Sequence, residues 1–418
     1  MDVLRRRLLQ SSVVGVGAEI GSALAGLPAY AQQKIVSTQD IGLPPLPEGA
    51  AEQQTLEALN GKVPLIRRTV RPPNYETPVQ YLDEVFTPAR AFFVRYHLAN
   101  IPEVEARNWR LLVGGEGAAN PGEYSLDDLK RSFEVVEVAA VCQCSGNRRG
   151  LFQPHVPGVQ WGVGAMGNAR WRGVRLRDVL NKAGLKKEAI EVSFAGADGA
   201  PLEATPKFVK SIPTWKAIDP DTLIAFEMNG QALPHWNGYP ARIVVPGWTG
   251  TYWMKHVTMV RALLAPESNF WMKAAYRIPI GRFPAVDRFV SQETEANTPI
   301  TGNVVNSLIT NVRSGQRWTR GTPVEVRGLA WDDGRGIAAV DVSIDGGWTW
   351  ARAKLGSDDG RYSARRFTAT VRPMATRATA IVVARATNRA GTTQVFDTIA
   401  NPAGYHNNAM QRITVRLV

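Results

Sequence analysis

Phe133 to Gly150 reads FEVVEVAAVCQCSGNRRG, an apolar run that passes directly into a polar, glycine-bearing turn. The run is continuous and apolar, and it predicts a buried strand. Cys144 ends that strand, Ser145-Gly146-Asn147 make a tight loop, and Arg148 and Arg149 follow. Two guanidinium groups within five residues favour the anionic form of a thiol, because a nearby positive charge stabilises the thiolate. A thiolate can be a nucleophile or a metal ligand. A nucleophile needs a base, and His155, the histidine nearest in sequence, is followed by no orienting acid, so the ligand reading is the stronger one. The plain alternative is a small buried core residue.

Outward from this stretch the chain keeps a mixed character. VRLRDVLNKAG has helical spacing at Val174, Leu176, Val179 and Leu180, with Gly184 as a stop. ARIVVPGWTG predicts a second buried strand running into a glycine turn. Residues 32–84 are rich in Pro, Gln and Glu with weak periodicity, and predict an extended arm around the first domain. From about residue 290 the texture changes to short strands between Asp, Asn and Gly turns: TPVEVRGLAWDDG, IAAVDVSIDGGWTW, RYSARRFTATV and ATAIVVARATNRAG. Asp345-Gly346 is a hairpin signal, and the strand spacing suits an immunoglobulin-like sandwich. The whole predicts an α+β protein, with a mixed α/β domain over 85–285 and a β-sandwich over 286–418.

Composition bounds the function. The 418 residues are 44% hydrophobic and 21% charged, enough for two cores. The formal charge of +12 is spread along the chain without a basic run, which argues against nucleic acid and for small anions or an acidic partner. Cys142 and Cys144 are the chain's two cysteines. Separated by one residue, they would close too tight a loop for ordinary disulfide geometry. The five histidines are scattered and no zinc or covalent-haem spacing occurs. Residues 1–31 combine Arg5-Arg6-Arg7, a small-residue apolar stretch and Ala29-Tyr30-Ala31, the pattern of a twin-arginine export signal. That predicts a periplasmic protein. Glu19 interrupts the apolar stretch, and no later run nears the roughly 20 apolar residues of a membrane span, so no membrane anchor is expected.

Seven motifs, in order, carry a resemblance: FFVRYHLANIP, CQCSGNRRG, MGNARWRGVRLRDVL, IAFEMNGQALPHWNGYPARIVVPGWTGTYWMKHV, FWMKAAY, VNSLIT and VRGLAWDDGRGIAAVDVSIDGGWTWARAKL. From about residue 85 to the C-terminus the chain resembles the sulfite oxidase family. The resemblance implies a molybdenum ion held by a molybdopterin (a pyranopterin dithiolene) and by one protein thiolate, Cys144, with the sandwich as a dimerisation domain. It implies that Arg95 and Arg149 line the substrate pocket and that the Tyr276 hydroxyl faces the metal. It assigns His97, Ser211, Asn237, Arg242 and Lys255 to the cofactor. Guanidinium suits a sulfur oxyanion, since it offers a fixed charge and forked donors.

The chain departs from the pattern in two places. Ala403 stands where many members have an arginine, and Asn237 where animal members have a histidine. The animal enzymes' haem domain has no counterpart here, and no haem is expected in this chain. The implied activity is oxidation of sulfite to sulfate, with electrons passed to an external c-type cytochrome. The alternatives are another molybdenum oxidoreductase of this fold, such as an S-oxide reductase, or a non-enzymatic immunoglobulin-like binding protein.

Overall fold

The structure, a computed structural model, describes residues 34–37, 53–283, 287–374 and 376–418. The predicted export signal at 1–31 and the predicted boundary at 285/286 lie outside the described residues.

The segment expected to be an extended arm is instead a folded meander. Lys34–Ser37, Gln53–Ala58, Pro64–Thr69, Asn74–Glu76 and Val94–Arg95 pair antiparallel in one five-stranded sheet. Its polar residues concealed this, because several are buried and partnered rather than solvated. Glu76 is fully buried, accepts from the backbone N–H groups of Gly162 and Gly164 at 2.8 Å each, and pairs with Arg68 Nε at 2.7 Å. A buried carboxylate is tolerated when fixed donors replace water in this way.

Two further sheets build the central unit. In one, Val209–Pro213, Glu191–Gly196, Val257–Leu263, Leu111–Gly114 and Gly122–Tyr124 lie side by side, with a single parallel pairing between Val257–Leu263 and Leu111–Gly114. In the other, Val135–Gln143 pairs along its whole length with Met166–Arg175, which pairs in turn with Leu223–Met228 and through it with Arg242–Val244. Both predicted buried strands therefore belong to one sheet, with Met166–Arg175 and Leu223–Met228 between them. The helix read from Val174 begins at Leu176 and ends at Lys182. Val174 is held in the strand by pairing with Val135 and Ile224, which outweighs its helical spacing. Gly184 then takes φ +68°, the left-handed conformation that stops a helix.

Beyond residue 300 the strands form a sandwich. One sheet holds Asn306–Ile309, Val324–Trp331, Arg365–Val371 and Lys354–Leu355. The facing sheet holds Arg317–Trp318, Arg412–Leu417, Thr379–Asn388, Ile337–Ser343 and Ala351–Arg352. Val326, Val340, Phe367, Val382 and Val415 are fully buried between them. Asp345 closes the predicted hairpin: its carboxylate accepts from the backbone N–H groups of Trp348 and Thr349 at 3.0 and 2.9 Å, and Gly346 takes φ +78°. No helix among the described residues is long and apolar enough to cross a membrane.

The sandwich packs directly on the cysteine strand. Val141 N–H donates to Tyr362 O at 3.0 Å, and Trp331 Nε1 donates to Gln143 Oε1 at 2.7 Å, both in the buried seam. Asp83 and Arg327 add a two-pronged ion pair, at 2.7 Å on its shorter prong. Replacing Trp331 by Phe keeps an aromatic group but removes the indole N–H and leaves Gln143 Oε1 buried without that donor. Trp331→Phe is expected to destabilise the protein by about 1–3 kcal/mol. Urea unfolding reads this as a lower midpoint at unchanged slope; an unmoved midpoint would show that the bond contributes nothing net.

Candidate active site

Cys144 is held at the end of its strand by backbone bonds on both sides. Its N–H donates to Ala165 O, its carbonyl accepts from Asn147 N–H, each at 2.9 Å, and Ser145 Oγ donates to Thr249 Oγ1 at 3.0 Å. The two arginines that follow diverge. Arg148, at φ +68°, turns away from the thiol and donates to the carbonyls of Ala409 and Ser307 at 2.9 and 2.5 Å. It is a buried tie to the sandwich, and the expectation that it supports the thiolate is corrected. Arg149 stays near the site: Nε donates to Ala403 O at 2.8 Å, and the guanidinium lies 5.2 Å from the Tyr405 ring centre. Ala403 thus contributes a carbonyl where a cation was expected from the family pattern.

Cys142 and Cys144 both line one cavity. One end of that cavity is cationic. Arg242 lies across the Trp171 and Trp253 rings, and its Nη1 donates to Asn237 O at 3.0 Å. Lys255 Nζ donates to Trp236 O at 3.1 Å, and burial, reinforced by Arg242, pushes its pKa far below the usual lysine value. Gly238, at φ +110°, makes the turn that brings the two together; a side chain there would meet both at 3.1 Å. Burial pushes the Cys142 thiol up to about 11, so it is neutral at ordinary pH.

The other end is aromatic and holds Arg95 and Tyr276 of the predicted substrate residues, whereas Arg149 does not line the cavity and sits behind Tyr405. His97 stacks on Phe208 at 3.6 Å, and its Nε2 shares a hydrogen bond with the Tyr276 hydroxyl. Arg95 Nη2 reaches the same hydroxyl at 3.4 Å, while Nη1 is anchored on Asn74 Oδ1 at 3.2 Å. Tyr276 is itself in the left-handed region at φ +60°, costly for a tyrosine, and Ile300 N–H on its carbonyl at 2.9 Å helps hold it there. Tyr405 stacks on Tyr276 at 5.6 Å and links it to Arg149. Arg95, His97, Cys144, Asn237, Arg242, Lys255 and Tyr276 therefore all line one cavity.

Ser211 does not join them. Its hydroxyl donates to the buried Glu191 carboxylate at 2.6 Å, because strand alternation turns it away, and its neighbour Lys210 is the residue that faces Tyr252 and Tyr276. Lys210, Lys62, Asp198 and Thr251 were not found by motif reading. A buried lysine in a strand carries no local sequence signal.

Burial also keeps three imidazoles neutral: His406 is pushed down to about 4, His256 to about 3, and His97 well below its usual value. In the unfolded chain each would protonate near 6.5. Their contribution to stability is complete above that pH. It is lost as pH falls from about 6.5 towards 4, where the unfolded state takes up protons that the folded state refuses, at up to about 1.4 kcal/mol per pH unit for each. Urea midpoints should drop across this window; a constant midpoint would show that the rings are charged in the fold.

The site can be tested for an anionic cofactor on its own terms. Arg242 Nε and Thr251 Oγ1 are buried without a partner. Arg242 and Lys255 face one cavity carboxylate, Asp198, which burial itself raises towards neutrality. Buried cations of this kind need an anion that the protein does not supply. A phosphate-bearing molybdopterin meets that need, and Cys144 offers the soft donor molybdenum requires.

The comparisons agree. Residues 97–271 match the model of the oxidoreductase molybdopterin-binding domain, and residues 298–418 that of the Mo-co oxidoreductase dimerisation domain. Mitochondrial sulfite oxidase of Homo sapiens is 38% identical over 302 residues, covering 70% of this chain and 53% of that protein. The chain thus spans about half the length of its mammalian relatives. Sulfite oxidase of Arabidopsis thaliana is 32% identical over 304 residues, 69% of this chain and 75% of that protein. The crystal structure of the sulfane dehydrogenase SoxCD from Paracoccus pantotrophus superposes with a TM-score of 0.71 at 27% identity, covering 83% of this chain and 85% of that one. With the motifs, the two-domain match and a cation-lined cavity beside Cys144 in agreement, the chain belongs to the sulfite oxidase family, whose cofactor is molybdenum bound by molybdopterin.

Proposed function

We propose that the protein oxidises sulfite to sulfate. The observation that carries this reading is the convergence of Arg95 and His97 on the Tyr276 hydroxyl in the cavity that Cys144 lines. Cys144 would hold the metal, Arg242 and Lys255 the pterin's anionic end, and Asn237 the turn between them. When bound, the cofactor supplies oxygen-atom transfer and accepts two electrons, chemistry that no side chain here can perform. The residues do the rest. Arg95 balances the charge of a sulfur oxyanion as it leaves water, with Arg149 behind Tyr405 extending the positive field. Neutral His97 orients the Tyr276 hydroxyl without adding a charge. The Phe208, Trp271 and Tyr405 rings exclude bulk water around that hydroxyl, which strengthens each polar contact. Overall, sulfite and water become sulfate, with release of two protons and two electrons.

The reading extends to an exported, periplasmic protein that passes electrons to a c-type cytochrome and pairs as a homodimer through the sandwich. The twin-arginine pattern and the matched dimerisation domain support it. A second reading is a different sulfur substrate: Ala403 leaves the pocket one cation poorer than the family pattern, and the similar SoxCD is a sulfane dehydrogenase. Purified from a host that makes molybdopterin, the protein should reduce ferricyanide and cytochrome c in the presence of sulfite and release sulfate. Turnover with an S-oxide or a sulfane compound but not with sulfite would overturn the first reading in favour of the second. Transfer to a quinone or nicotinamide and to no cytochrome would overturn the electron route. Particle mass in solution tests the dimer.

A further inference from the structure

Lys62, from the N-terminal meander, is almost wholly buried behind the cavity. Its ammonium donates to Ala89 O at 2.7 Å, to Phe92 O at 3.1 Å and to the side-chain oxygen of Asn237. All three acceptors are neutral, and among the described residues Lys62 forms no ion pair. Asn237 in turn lines the cavity, fixes its own Nδ2 on Phe93 O at 3.1 Å, and accepts Arg242 Nη1 on its backbone carbonyl. Lys62 and Arg242, both buried, and the partly buried Lys255 thus gather around one turn, with Lys62 acting through Asn237.

We infer that Lys62 is a positioning residue for the anionic end of the cofactor, orienting Asn237 and adding the third positive charge of that subsite. A neutral brace for Asn237 would need no charge; an ammonium with neutral partners is costly unless an anion arrives. Burial lowers its pKa to about 7, as expected for a cation whose counter-ion is missing, and its charge helps lower that of Lys255. The arrangement also accounts for the asparagine: a neutral amide can accept from the buried ammonium without cancelling its charge.

The test compares Lys62→Met, Lys62→Arg and Asn237→Asp in the full chain, expressed with and without molybdopterin synthesis. The readouts are molybdenum and pterin content after dialysis and the difference in Tm between loaded and cofactor-free protein. Lys62→Met should lose about tenfold in cofactor retention, the scale for groups one shell behind a ligand, and the Tm difference should shrink. Lys62→Arg should retain more cofactor than Lys62→Met. Asn237→Asp, which neutralises the ammonium with a near-isosteric side chain, should lose cofactor while its cofactor-free form is at least as stable as wild type. If Lys62→Met lowers both Tm values equally and keeps its cofactor, Lys62 is a structural brace and the inference fails. Should Lys62→Met not fold, full retention by Asn237→Asp overturns it instead. A wild-type protein that takes up no molybdopterin at all would count against the cofactor assignment itself, a separate outcome from loaded variants that match wild type.

Discussion

Cys144→Ser should reduce turnover by about a hundredfold or more, beyond what second-shell changes around a metal usually cost, while Cys142→Ser stays within a few-fold of wild type. Both thiols face the cavity, so exposure does not separate them. Their settings do. Cys142 is still paired in the strand, opposite Gly167 and 4.0 Å from Arg242 Nη2, and burial pushes its thiol up to about 11. Cys144 sits where the strand opens into the loop, with its backbone fixed on Ala165 and Asn147. A hydroxyl in its place is a far weaker soft-metal donor, whereas Cys142→Ser changes one neutral polar group for another beside Arg242. Molybdenum content, circular dichroism and sulfite-dependent ferricyanide reduction on the same preparations decide the matter. Loss of activity in folded, pterin-loaded Cys142→Ser with Cys144→Ser unaffected would reverse the assignment.

Arg95→Gln is expected to lower kcat/KM for sulfite by about tenfold to a hundredfold, since a hydrogen bond to a charged group contributes about 1.5–3 kcal/mol and 1.4 kcal/mol is a factor of ten. The guanidinium is aimed by Asn74 and touches the Tyr276 hydroxyl, so the loss should appear in kcat as well as in KM. Molybdenum content should stay at the wild-type level, because Arg95 lies at the aromatic end of the cavity and the cationic end is intact. Arg149→Gln should act more weakly, since Arg149 reaches the site through Tyr405 and also ties the loop to Ala403 O. Unchanged kinetics in Arg95→Gln would place the anion elsewhere.

Some of this was legible in the linear chain and some was not. The buried strand ending at Cys144 could be read because a continuous apolar run is a local property, whereas Arg242 and Lys255 were placed only by the resemblance of their motif to the family's. The N-terminal meander could not. Its strand Val94–Arg95 arrives about twenty residues after its partner Asn74–Glu76, and its buried Glu76 is satisfied by Gly162 and Gly164. Arg148 and Arg149 are adjacent and chemically identical, yet one ties down the sandwich and the other borders the site. The cause is a left-handed backbone at Arg148 and acceptors at Ser307 and Ala409, which are 159 and 261 residues away. Ser211 failed for the converse reason: motif position named the residue, while strand alternation pointed its hydroxyl at Glu191 and left the site to Lys210.

What the amino-acid sequence determined by itself was the set of local commitments: which runs are strands, where glycine forces a turn, and which thiol and cations belong to a recognisable pattern. Only the tertiary structure decided which cations face one cavity, because the charge state and direction of a buried side chain depend on distant carbonyls, carboxylates and rings that desolvate or partner it. Lys62 shows the difference most directly. Nothing around it in the chain marks it, and its meaning comes from Asn237, brought against it across 175 residues.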